Sequence, residues 1–180
     1  AIIKGIIEAV DSGADVISMS LGGVANPFKQ KAYNEALAYA AKHNVLVVAA
    51  AGNSNANAKY YLPTSNDYVF SVASVNQNLQ KSAFSNYIQE VSKGIAAPGE
   101  QIMSTDEQGS YKLANGTSMA APFVTGLLAL MRTMDPSITA EEAYAILNEY
   151  GLNTKQTKQT GFLIQVKPVL EHLYHQQYDL

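Results

Sequence analysis

Asn115-Gly116-Thr117-Ser118-Met119-Ala120-Ala121-Pro122 runs directly into an apolar stretch that continues from Phe123 to Met134. The stretch has too few polar residues for a surface helix, so it reads as a buried one. Pro122 falls in its first turn, where a missing N–H costs little. Ser118 thereby sits at the N-terminal end of a buried helix, where free N–H groups and the helix dipole favour negative charge. A hydroxyl there can attack a carbonyl while the developing charge is stabilised. A plainer reading stands beside this one: serine ahead of an apolar helix commonly serves only as its N-cap.

Outward from this helix, the pattern alternates helices and strands. Ile2, Ile3, Ile6, Ile7 and Val10 recur at helical spacing until Ser12-Gly13 stops them. Residues 15–21 predict a strand ending in Gly22-Gly23, and residues 29–43 a helix with Tyr33, Leu37, Ala40 and Ala41 on one face. Residues 45–50 form a continuous apolar run, the pattern of a strand covered on both faces. This order, with short connections, argues for parallel βαβ units. Residues 52–67, rich in Asn, Ser, Ala and Tyr, read as a long surface loop.

Further strands are expected at 69–75 and 94–99, with a polar loop over 85–93 between them. Residues 102–104 and 111–113 flank Gly109-Ser110 as a hairpin. After the central helix, Asp135-Pro136 breaks the run. Thr139-Ala140-Glu141-Glu142 opens a helix as a capping box, and Gly151 closes it. A polar loop at 155–160, a short strand at 162–166 and a last helix opened by Pro168 complete the chain. The pattern predicts one α/β domain over residues 1–180.

The 180 residues carry a formal charge of −3 and are 47% hydrophobic, enough for a substantial core. No basic cluster invites nucleic acid or an anionic membrane, and no apolar run reaches the roughly 18 residues of a membrane span. Cysteine is absent, which excludes disulfides, thiolate metal sites and a cysteine nucleophile. Ala1 lies inside an amphipathic pattern, which reads as a cut end.

Gly116-Thr117-Ser118-Met119-Ala120-Ala121-Pro122 closely resembles the nucleophile signature of subtilisin-like serine proteases, peptidase family S8. Two more of that family's signatures stand upstream in the right order: Ser20-Leu21-Gly22-Gly23 and Ala50-Ala51-Gly52-Asn53. The resemblance covers residues 2 to about 173. It implies a three-layer fold with a mostly parallel sheet between helices, here lacking its N-terminal strands. It makes Ser118 the nucleophile and Asn53, with the Ser118 N–H, the oxyanion donor. Ser20, Leu21, Gly22 and Gly23 become an edge to which an extended peptide adds. Ala50, Ala51 and Gly52 become a pocket wall suited to medium or large apolar side chains. The resemblance also favours a secreted or extracellular location, and a structural calcium ion in the full domain is compatible with it.

Several positions depart from the family's pattern. The family's aspartate and histidine both precede the Ser-Leu-Gly-Gly strand, where this chain has one helix. His43 reads as a cation at a helix C-terminus. His172 and His175, three residues apart on the last helix, read as a solvated face rather than a metal pair. The implied partner is therefore the N-terminal portion of the same protease, bearing the catalytic Asp and His, and the substrate is a peptide or protein. Without that portion an apolar sheet edge would lie open, so tight association is expected there. Phe123 stands where relatives often have histidine, and is expected to pack in the core. Leu62-Pro63 resembles a place that is sometimes cis and near a cation site. Asn115-Gly116-Thr117 fits the glycosylation pattern, which the resemblance discounts by placing it on the active-site floor. Two other classes remain open: a catalytically inactive pseudoprotease or peptide-binding module, and a nucleotide-binding α/β domain. The latter lacks any phosphate-cradling glycine loop.

Overall fold

A computed structural model describes residues 1–178, and helix and strand alternate along them. In chain order the elements are α1 (Ile2–Asp11), β1 (Val16–Met19), β2 (Gly23–Val24), α2 (Pro27–Lys42), β3 (Leu46–Ala50), β4 (Tyr61–Leu62), β5 (Val69–Val75) and β6 (Lys93–Pro98). Then follow β7 (Ile102–Thr105), β8 (Tyr111–Ala114), α3 (Thr117–Met134), α4 (Ala140–Glu149), α5 (Thr157–Thr160) and α6 (Val166–Tyr178).

All of β3 is buried, because it has a hydrophobic layer on each side. Side chains alternate across a strand. Leu46, Val48 and Ala50 enter one core with Phe70, Val72, Val124, Leu128 and Leu147. Val47 and Ala49 enter the other with Ile6, Val10, Tyr33 and Leu37. The parallel sheet runs β1-β3-β5-β6, with α1 and α2 on one face and α3, α4 and α6 on the other. This is the three-layer α/β arrangement that the sequence implied. The expected hairpin is present as β7 and β8, paired antiparallel.

Capping sets two helix starts. Asn26 Oδ1 accepts the Lys29 N–H at 2.8 Å and Pro27 takes the first turn, so α2 begins earlier than its apolar face suggests. Thr139 Oγ1 accepts the Glu142 N–H at 3.2 Å, which is the N-cap half of the expected capping box.

Strand β1 pairs only with β3, so its other edge is open among the described residues. Thr125 on α3 donates to Ser18 Oγ on that strand at 2.8 Å, which brings the open edge beside the outer side of α3. Phe123 and Leu130 there are 45% and 48% exposed, and Gly126, Ala129 and Thr133 are exposed with them. This corrects two expectations: Phe123 does not pack in the core, and the helix is not buried all round. The reason is directional. Ala121, Val124, Leu128 and Met131 meet the sheet, while the opposite stripe faces away from every described layer.

Three loop expectations also change. Residues 52–67 are a surface loop only in part: Asn53, Ser54, Asn55, Tyr60 and Asp67 are exposed, while Asn57, Ala58, Leu62, Thr64 and Asn66 are buried. Asn57 caps a 3-10 turn at Ala58–Tyr60, and Asn66 donates to Asn34 Oδ1 at 2.7 Å. Ser85 and Asn86, in the expected polar loop, are fully buried as well. Residues 162–166 do not form a strand: Leu163 makes isolated bridges to Ala96 and Leu152, and α6 already starts at Val166.

Candidate active site

Three loop-to-element junctions converge at one edge of the sheet. β3 delivers Ala50 and then Ala51-Gly52-Asn53. Gly52 has φ +108°, which glycine tolerates and other residues rarely adopt, and a Cβ there would overlap the Asn86 side-chain amide. α3 begins at Thr117 after Gly116, which occupies the N-cap with no side-chain bond. Ser118 is therefore the second residue of the helix. The N-cap alternative fails on this placement.

The Ser118 N–H lies in the first turn, where no intrahelical carbonyl can accept it. Its half-buried hydroxyl donates to the Ser20 carbonyl at 3.3 Å, and the Ser20 hydroxyl donates to the Ser118 carbonyl at 2.8 Å. The nucleophile candidate and the Ser20–Gly23 segment are thus joined reciprocally.

Asn53 is oriented by Thr117, which is fully buried. Both the Thr117 N–H (2.9 Å) and its Oγ–H (2.8 Å) donate to Asn53 Oδ1. Thr117 Oγ1 in turn accepts the Gly52 N–H at 3.1 Å. With Oδ1 taken, the amide nitrogen is the free end. Asn53 Nδ2 and the Ser118 nitrogen each lie 3.6 Å from the point a Gly116 Cβ would occupy, so the two donors stand on one small patch.

That patch opens on a cavity of about 340 Å³. Leu21, Gly22 and Gly23 form one side of it, Ala50, Ala51, Gly52 and Asn53 another, and Thr117 and Ser118 the floor. Ser20 is tied to it through Ser118. A second cavity, about 410 Å³, shares Leu21, Gly22 and Gly23 and extends to Ile2, Lys29 and Tyr33. The Leu21–Gly23 segment therefore stands between two hollows. It is not a continuation of β1: that strand ends at Met19, and Gly23-Val24 pairs antiparallel with β4.

Sequence reasoning missed Thr117, Tyr61 and Thr64, all of which line the first cavity. Thr117 was inside the quoted motif, but its role lies in a contact 64 positions away in the chain, which local pattern does not encode.

No histidine lines either cavity. His43 caps the C-terminus of α2, with Nδ1 2.9 Å from the Tyr39 carbonyl. His172 Nδ1 pairs with the Tyr150 hydroxyl at 2.8 Å, and His175 packs edge-on against Tyr174. The Leu62-Pro63 bond is cis. In the loop beyond it the Lys93 ammonium donates to the Asp67 carbonyl at 2.6 Å, so positive charge is already supplied there. Among the described residues no group of three or more His, Asp or Glu side chains is arranged to hold a metal. No helix is long and apolar enough to cross a membrane among them.

The subtilase family model matches residues 1–164. This chain belongs to the subtilase family. Thermitase of Thermoactinomyces vulgaris is 44% identical over 138 residues, 76% of this chain and 47% of thermitase. The major intracellular serine protease of Bacillus subtilis is 41% identical over 138 residues, 74% of this chain and 42% of that protein. Among solved structures, a protease from Pseudoalteromonas arctica has a TM-score of 0.82 at 32% identity, covering 96% of this chain and 58% of its own. The subtilase chain described here spans about half the length of the curated relatives it matches.

Proposed function

We propose that this chain carries the nucleophile, oxyanion donors and substrate edge of a serine endopeptidase whose Asp and His are supplied by a separate portion of the protease. In this reading the histidine takes the Ser118 proton as Oγ bonds to a peptide carbonyl carbon, and the aspartate orients that histidine. Asn53 Nδ2 and the Ser118 N–H stabilise the oxyanion. The C–N bond then breaks, the proton passes to the leaving amine, and water hydrolyses the acyl-enzyme. The extended substrate lies along Ser20, Leu21, Gly22 and Gly23, with one side chain in the hollow walled by Ala50, Ala51 and Gly52.

One observation carries the proposal: Thr117 consumes Asn53 Oδ1 with two donors, which leaves Nδ2 beside the Ser118 N–H. The complementing portion docks on the open edge of β1 and the outer stripe of α3. An unpaired strand edge beside exposed Phe123 and Leu130 supports that choice. The secreted location favoured by the sequence is one of at least two in the family, since the Bacillus subtilis relative is by name intracellular.

A second reading, a peptide-binding module without turnover, draws on the Ser118 hydroxyl facing the Ser20 carbonyl with no histidine at the cavity. Fluorophosphonate labelling with intact mass spectrometry separates the two. Labelling at Ser118 only after the Asp- and His-bearing portion is added, and none in Ser118→Ala, is the expected result. An assembled complex whose Ser118 never reacts would leave the binding module standing.

A further inference from the structure

We infer that Asn86 is the positioning residue for Asn53, holding the oxyanion loop in place before any substrate arrives. The inference rests on the oxyanion role proposed for Asn53 and adds to the machinery a residue that stands behind the cavity wall without lining the cavity.

Asn86 lies between β5 and β6 and is fully buried. Its Oδ1 accepts two backbone N–H groups, from Ser54 at 3.0 Å and Ala56 at 2.9 Å. Its Nδ2 donates to the Ala51 carbonyl at 2.9 Å, and its own N–H donates to the Gly52 carbonyl at 2.8 Å. These four bonds grip residues 51, 52, 54 and 56, on both sides of Asn53. Asn53 itself is exposed, so its backbone has little packing to hold it. The loop is neither helix nor sheet, and its buried polar groups must find partners from elsewhere. A carboxamide fits this task because one end accepts twice while the other donates. Aspartate would set a carboxylate against the Ala51 carbonyl, and leucine would fill the space and bond to nothing.

A second tie joins the same two segments. Lys81 Nζ donates to Asn55 Oδ1 at 2.9 Å, and to the Ser82 and Ser85 carbonyls at 3.1 and 2.7 Å. The Asn55 N–H donates to the Phe84 carbonyl at 2.9 Å. Gly52 completes the fit, since any side chain there would displace the Asn86 amide. A donor fixed in advance is what makes oxyanion stabilisation effective, because nothing needs to reorganise as charge develops.

The test uses the chain assembled with its Asp- and His-bearing portion. Asn86→Ala should lower kcat about 10–100-fold, with KM changed by less than about threefold. In an Asn53→Ala background the same substitution should cost less than about twofold, because the route through Asn53 is already gone. Equal losses in both backgrounds would show a merely structural residue and overturn the inference. Asn86→Asp keeps both accepted bonds but sets a carboxylate oxygen against the Ala51 carbonyl, so it too should lower kcat with KM changed by less than about threefold. Hydrogen exchange across residues 52–57 gives a readout that needs no turnover: the Ser54 and Ala56 amides should exchange at least about tenfold faster in Asn86→Ala and faster than wild type in Asn86→Asp. Unchanged exchange overturns the clamp, whatever the activity. Faster exchange together with an Asn53→Ala variant of full kcat would uphold the clamp and sink the oxyanion role of Asn53 instead.

Discussion

Thr117→Val is the sharpest perturbation of the proposed oxyanion site. Valine keeps the shape of a fully buried side chain and deletes only Oγ1. Two bonds go with it: the 2.8 Å donation to Asn53 Oδ1 and the 3.1 Å acceptance of the Gly52 N–H. At about 1 kcal/mol net per bond, plus part of the penalty for an unsatisfied buried N–H, the loss in stability should be about 2–3 kcal/mol. That is a large share of a domain's margin of about 5–15 kcal/mol, but it leaves a folded protein. The Thr117 N–H still holds Asn53 Oδ1 at 2.9 Å, so the amide is loosened and not released. Complete loss of an oxyanion donor costs about 10²–10³ in kcat, so the loosened one should cost about 10–50-fold, with KM nearly unchanged. Thr117→Ser retains Oγ and should stay within about threefold of wild type. Steady-state kinetics on a fluorogenic peptide, run with the assembled protease beside thermal unfolding, measures both effects. A valine variant with wild-type kcat would refute the reasoning. So would a serine variant as impaired as valine, since the methyl group and not the hydroxyl would then matter.

Gly52→Ala should destabilise the chain by about 1–3 kcal/mol, because φ +108° is strained for alanine and its methyl meets the Asn86 amide. A melting temperature within about 1 °C of wild type would contradict this. The loop near Asn57 should loosen only in acid. Lys59, 2.6 Å away, and Asn57 hold the Glu90 carboxyl below its ordinary value of 4.5. A carboxylate with a depressed folded value stabilises above its unfolded value, and that contribution is lost as pH falls through the folded one. Limited proteolysis at residues 57–60 should therefore set in only below the ordinary carboxylate value of 4.5, and should not depend on pH in Glu90→Gln. Cleavage already rising at about pH 6 would show that this contact does not hold the loop.

The layers of this fold were legible because each rests on a local pattern. The unbroken apolar run of residues 45–50 announced a strand buried on both faces, and it is one. Thr139 and Glu142 announced a helix start that the side chain makes. The residues lining the cavity, Leu21, Gly22, Gly23, Ala50, Ala51, Gly52, Asn53 and Ser118, were named from motifs that the fold brings together. What escaped was whatever depends on distant partners. Residues 52–67 look like a surface loop by composition, yet Asn57 and Asn66 are buried, and Asn66 bonds to Asn34 and to the Tyr68 N–H. Asn86 and Thr117 act across dozens of positions, so neither periodicity nor spacing signals them. Phe123 was misplaced for the opposite reason: its hydrophobicity is genuine, but the surface that would match it is not among the described layers.

That outer stripe of α3 has a consequence for how the sequence can change. Helix α3 is a rod about 27 Å long with Ser118 at one end, and Phe123 and Leu130 lie on its unmatched side. A laboratory selection for solubility or expression of this chain alone would reward charge at both positions, since nothing among the described residues packs against them to penalise it. Under the proposed assembly, the same substitutions would erode the fit of the complementing portion against the rod. Selection on this chain alone would then work against that proposed assembly, through two residues that look like mistakes only while the chain is considered by itself.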